Sequence, residues 1–194
     1  MREYYHRRAP EYDNWYGGAF YSGDERDSFL RERADLEQLL AGLEPAHTLD
    51  VACGTGFLTR HLPGDVVGLD QSDAMLDVAR EQAPNVEFVQ GDAFALPFED
   101  DSFERMFTGH FYGHLEPPQR DAFLSEARRV ARELVVADAA RRPNHEPEEW
   151  QQRPVADGTT WPVFKRFLLP EQLAGELGGG DVLLAGSWFV VVRS

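Results

Sequence analysis

Short apolar runs that alternate with helical patterns constrain this chain more than any other feature. Thr48–Ala52, Val66–Leu69, Val86–Val89, Arg105–Thr108 and Leu134–Ala137 read as strands, and Phe57–Leu62, Ser72–Gln82 and Pro118–Arg132 read as helices between them. Apolar strands joined through helices imply a parallel sheet with both faces covered. Ahead of this region, Phe29, Leu30, Ala34, Leu36, Leu39 and Leu40 fall near helical spacing, so Asp24–Leu43 is expected to be an amphipathic helix ended by Gly42 and Pro45.

The end of the chain departs from that rhythm. Pro170–Leu177 reads as a helix stopped by Gly178, Gly179 and Gly180, followed by strands Asp181–Ala185 and Trp188–Val192. Only Gly186 and Ser187 join these strands, which makes them antiparallel. Arg141–Thr160, rich in Pro, Glu and Arg, reads as a long irregular segment, and such loops in compact domains are commonly functional or mobile. With 194 residues and no second apolar unit, one domain is expected.

The first strand runs into Cys53-Gly54-Thr55-Gly56, where the backbone can approach a ligand unobstructed. A tight turn without a ligand explains that motif equally well. The second strand ends in Asp70, where a carboxylate can accept bonds from the ribose hydroxyls of a nucleoside. A dinucleotide is disfavoured, because Thr59 stands where the fingerprint needs a third small residue. Asp50 would repel a phosphate and attract an ammonium group, so the ligand is expected to carry positive charge.

Leu49-Asp50-Val51-Ala52-Cys53-Gly54-Thr55-Gly56 resembles the glycine-rich motif of class I S-adenosylmethionine-dependent methyltransferases. Val67-Gly68-Leu69-Asp70-Gln71-Ser72-Asp73-Ala74-Met75-Leu76, Gly91-Asp92-Ala93 and Leu96–Phe103 continue the likeness, of the type that methylates quinone precursors in ubiquinone and menaquinone biosynthesis. The resemblance implies an α/β, Rossmann-like three-layer α/β/α sandwich. Its seven-stranded, mostly parallel sheet would carry an antiparallel C-terminal strand inserted between two others. It also implies that S-adenosylmethionine (SAM) is the cofactor and S-adenosylhomocysteine (SAH) the product. Asp50, Ala52, Gly54 and Gly56 would surround the methionine part and Asp70 the ribose; Gln71 and Met75 would neighbour the adenosine, with Gly91 beside Asp92 and Ala93 at the adenine. Thr108 and Gly109 would line the open side of the cofactor.

In this family the segment before the first strand covers the cofactor, and Tyr4–Tyr16 is similar to that lid, Tyr12 being its strongest candidate for a contact. The same aromatics also suit packing of the first helix on the sheet. His110 and His114 follow the fourth strand where the methyl must leave, and a histidine there suits a base for a hydroxyl or nitrogen acceptor. No third ligand of the right type accompanies them, so no metal is expected. Residues 1–45 are expected to form a lid and helix, and residues 139–168, with Trp150 and Trp161, an insertion on the acceptor side that either closes over it or stays solvated.

A formal charge of −15 opposes nucleic acid and anionic membrane as partners. The single Cys53 excludes an internal disulfide and suits a reducing compartment. The charged N-terminus does not read as a signal peptide and no 18-residue apolar stretch occurs, so a cytoplasmic monomer or homodimer is expected. The expected activity is methylation of oxygen, nitrogen or carbon on a small-molecule acceptor. A SAM-binding protein without turnover, or a nicotinamide-nucleotide oxidoreductase, are the alternatives.

Overall fold

The computed structural model describes residues 1–143 and 145–194. Seven strands build the main sheet: β1 (Ala46–Val51), β2 (Gly64–Asp70), β3 (Glu87–Gln90), β4 (Phe103–Gly109), β5 (Ala131–Ala139), β8 (Asp181–Ala185) and β9 (Phe189–Arg193). Their order is β3-β2-β1-β4-β5-β9-β8. The first five run parallel, and β9 is antiparallel to both its neighbours β5 and β8, so the last strand does insert between two others.

Alternation along the strands sorts side chains into two cores. Leu49, Val51, Met106, Leu134, Val136, Val190 and Val192 face one way, against Phe123 and Leu124 of α4 (Pro117–Val130) and Leu173 of α5 (Pro170–Glu176). Phe107, Val135, Ala137, Phe189 and Val191 face the other way, against Phe29, Leu36 and Leu40 of α2 (Gly23–Ala41). Each fully buried side chain of this kind contributes roughly 1.5–3 kcal/mol, so the period of two in the strands dictates the three-layer arrangement.

The connection Phe57–Leu62 is not the expected helix. Only Thr59–His61 makes a short 3-10 turn, because Gly54 and Gly56 take left-handed conformations ahead of it and the Thr59 hydroxyl donates to Asp50 at 2.6 Å. After β2, Ser72 caps α3 (Asp73–Gln82) through its hydroxyl. The expected helix Pro118–Arg132 gives up its last two residues to β5, which starts directly at Ala131.

The stretch expected to be irregular contains most of a hairpin. β6 (Glu148–Pro154) and β7 (Thr160–Arg166) pair antiparallel in a separate two-stranded sheet, and Asn144 of that stretch lies outside the described residues. The hairpin packs on α1 (Arg2–Arg8): Val155, Val163 and Trp161 surround Tyr4, and Arg7 bonds to Asp157 at 2.9 Å. Among the described residues no helix is long and apolar enough to cross a membrane.

Candidate functional site

The sheet order reverses between β1 and β4, and at the carboxyl ends of β1, β2 and β4 the structure opens a cavity of about 310 Å³. Tyr12, Ala52, Gly54, Asp70, Gln71, Met75, Gly91, Asp92, Ala93 and Gly109 line it, together with His110 and His114. The residues singled out from the sequence are thus largely gathered around one space.

Local backbone strain is concentrated there. Ala52 and His110, which follow β1 and β4, have φ of +59° and +56°. Left-handed backbone at residues other than glycine costs on the order of 1–3 kcal/mol and is retained where the surrounding structure demands it. Between them Gly54, at φ +56°, lets the turn pass the cavity with no side chain in the way.

Asp70, at the end of β2, braces that turn. Its Oδ2 accepts from the Gly54 N–H at 3.0 Å and its Oδ1 from the Ser72 N–H at 2.9 Å. Burial raises its pKa, and the backbone donors partly offset this. A carboxylate has about four acceptor positions, so these backbone donors leave room for a hydroxyl in the cavity. Asp92 holds the chain after β3 in the same way, accepting from the Phe94 N–H at 2.9 Å.

Asp50 lies deeper. It is 1% exposed and faces a small recess next to Ala52, Gly54 and Gly109 rather than the larger cavity. Its Oδ2 is bonded to Thr59, but its Oδ1 is buried without a partner. Burial pushes its pKa up to about 7, against the opposing Thr59 hydrogen bond. An unpaired buried acceptor costs about 1–3 kcal/mol, and a cationic ligand group beside it would recover that cost. Gly56 and Thr108 do not line the cavity. A Cβ on Gly56 would press on Ala79 at 3.2 Å, so this glycine seats α3. The Thr108 hydroxyl donates to the Val51 carbonyl at 2.8 Å and ties β4 to β1.

The two histidines differ. The His110 ring is packed against Trp15 at 4.7 Å and Phe189 at 5.5 Å, with Nε2 buried and unpartnered, and burial lowers its pKa to about 4. That ring is neutral at neutral pH and enclosed by aromatic side chains. His114 ends the 3-10 turn Tyr112–His114, and its Nδ1 sits 2.6 Å from the Phe164 carbonyl. A carbonyl only accepts, so Nδ1 carries the proton and Nε2 keeps its lone pair. Burial, with the charges of Lys165 and Arg153, holds the ring well below the usual histidine pKa and therefore neutral.

A second cavity, about 360 Å³, shares Tyr12, His110 and His114 with the first. Lys165 borders it, 5% exposed, and donates to Asp138 Oδ1 at 2.7 Å, while the Gly113 N–H donates to Oδ2 at 2.7 Å. Burial alone would raise the Asp138 pKa, but the Lys165 ammonium beside it outweighs this and holds the carboxylate ionised. Asp138, Lys165 and Arg153 escaped the sequence reading. Asp138 closes a strand as Asp70 does, which was a usable signal, whereas the lysine and arginine reach the cavity only through the pairing of β6 with β7.

The sequence profile of the family described as "Methyltransferase domain" matches residues 48–133, which carry β1 to β4 and the start of β5. The demethylmenaquinone methyltransferase of Lactococcus lactis is 34% identical over 141 residues, 67% of this chain and 53% of that protein. The phthiotriol/phenolphthiotriol dimycocerosates methyltransferase 1 of Mycobacterium ulcerans is 37% identical over 122 residues, 56% of this chain and 42% of that one. Residues 48–133 carry a methyltransferase domain, and the chain is similar to the class I S-adenosylmethionine-dependent methyltransferases.

The solved structure of DhpI with SAH superposes on this chain with a TM-score of 0.72 at 27% identity, covering 100% of this chain and 93% of DhpI. A DhpI complex with SAM and HEP gives 0.74 at 27% identity, covering 98% and 94%. The chain spans about half the length of the curated relatives it matches in sequence.

Proposed function

We propose that this chain binds SAM in the first cavity and transfers its methyl group to a small molecule seated in the second. The observation that carries the reading is the shared wall: Tyr12, His110 and His114 border both spaces, so a donor and an acceptor meet across them. The donor residues suit the cofactor chemically. Asp70 offers a carboxylate to ribose hydroxyls, Asp92 a polar rim for the adenine, and Asp50 an unpartnered buried oxygen for the ammonium group.

When bound, SAM would supply an electrophilic sulfonium methyl to the acceptor nucleophile, with SAH as the leaving group that keeps the S–C bond pair. The protein's share is alignment and exclusion of water. The α1 segment and the β6–β7 hairpin, packed on each other, act as the cover, and Asp13 accepting from the Thr55 hydroxyl at 2.6 Å fastens the N-terminal segment to the glycine turn. His114, with Nε2 unprotonated, takes the proton where the acceptor brings one.

Calorimetric titration with SAH and with a nicotinamide dinucleotide tests the reading. Saturable SAH binding with no response to the dinucleotide is expected; the reverse pattern overturns it in favour of an oxidoreductase.

A further inference from the structure

The second cavity has a charge opposite to that of the chain. The protein carries −15, yet Arg8, Arg142, Arg153 and Lys165 all border this cavity, and no Asp or Glu is among the described residues lining it. Arg142 is balanced by Glu25 at 3.0 Å and Lys165 by Asp138. Arg8 and Arg153 have no carboxylate partner among the described residues. Arg8 bonds to the Tyr4 hydroxyl and leans on the Tyr12 ring, and Arg153 bonds to the neutral Gln151 Oε1 at 2.9 and 2.7 Å. Two guanidinium charges therefore border an otherwise aromatic cavity, with Trp15, Tyr21 and Trp188 as its apolar walls.

The other arginines without a carboxylate partner among the described residues are exposed to water, whereas Arg8 and Arg153 are half-buried at one cavity, so this pair calls for a ligand that supplies the countercharge. A guanidinium offers a planar fork of donors that matches a carboxylate or a phosphorus oxyacid. The Arg153 charge is also felt at Tyr12, His114 and Lys165, which places it toward the wall shared with the donor cavity. Given the methyltransferase reading, on which this rests, we infer that the acceptor bears a compact oxyanion, held by Arg8 and Arg153 with its apolar part against the tryptophans. A cationic amine acceptor does not suit this lining.

Trp15 and Trp188 make the cavity fluorescent, so binding is read directly. Phenylphosphonate and benzoate, with benzamide and benzylamine as neutral and cationic counterparts, are titrated with and without SAH. The two acids are expected to bind at least about tenfold more tightly than benzamide, and Arg153→Gln or Arg8→Gln to remove roughly that factor. SAH affinity is expected to stay unchanged in both variants, which reports intact folding. The stronger of the two acids separates a phosphorus oxyacid from a carboxylate as the natural group. Benzamide or benzylamine binding as tightly as the acids, failure of both acids to bind, or acid binding indifferent to both variants overturns the inference. Loss of SAH binding with acid preference intact overturns the methyltransferase reading instead.

Discussion

The Nδ1 atom of His114 lies 2.6 Å from the carbonyl oxygen of Phe164, and this contact decides which edge of the imidazole is free to react. The hairpin strand β7 thereby sets the tautomer of a residue on the opposite side of the cavity wall.

Replacing His114 with Ala is expected to lower kcat about 100-fold for a protonated acceptor while SAH affinity is retained. Because burial, Lys165 and Arg153 depress its pKa, the ring is neutral at and above the ordinary histidine range and protonates only well below it. The pH profile of kcat should consequently lack an acid limb near pH 6.5. A limb there that disappears in His114→Ala, or equal losses of turnover and SAH affinity, would contradict the role.

Asp50 should make donor binding depend on pH. Its carboxyl ionises near 7 in the folded chain against an ordinary 3.8, so the folded state holds the extra proton between those values. Its contribution to stability is full below about pH 4 and is lost as the pH rises through about 7. Donor affinity moves the other way, since an ionised Asp50 attracts the ammonium group. SAH is expected to bind several-fold more tightly at about pH 8 than at about pH 6, and Asp50→Asn to flatten the difference. Calorimetry at both pH values checks this, and equal affinities in the parent protein would refute it.

The buried Asp138 and Lys165 pair is expected to behave as a unit. Asp138→Asn leaves the ammonium without a countercharge and should cost about 3–5 kcal/mol of unfolding free energy. Converting Lys165 to Met in the same chain should return part of that loss. Chemical denaturation measures both, and additive losses would show that the two side chains are not coupled.

Two glycines give opposite expectations. A Cβ on Gly68 would meet the Phe88 ring at 2.5 Å and the Cys53 sulfur at 3.1 Å, so Gly68→Ala should destabilise by about 1–3 kcal/mol. At Gly175, inside α5, the Cβ meets nothing, and Gly175→Ala should stabilise by about 0.5–1 kcal/mol. Thermal unfolding of both variants distinguishes the two.

The parallel strands and the donor turn were legible because their signals are local. Apolar runs at Leu49, Val67 and Met106 and the glycines after β1 require only near neighbours. The segment Phe57–Leu62 misled because its apolar residues fit a helix, whereas the left-handed Gly54 and Gly56 and the Thr59 bond to Asp50 hold it in a turn. The hairpin was hidden for a different reason. β6 is almost wholly polar and exposed, so no alternation marks it, and only pairing with β7, as Arg153 with Trp161, gives it a strand's geometry. Arg153 and Lys165 ride on that pairing and inherited its invisibility.

The donor assignment turns on Asp70, whose carboxylate both braces Gly54 and faces the first cavity. Calorimetric titration of SAH into the parent protein and Asp70→Ala tests it most directly. The parent should bind saturably and the variant more weakly by about 1.5–3 kcal/mol. Equal affinity in the two, or no binding in the parent, would contradict the account.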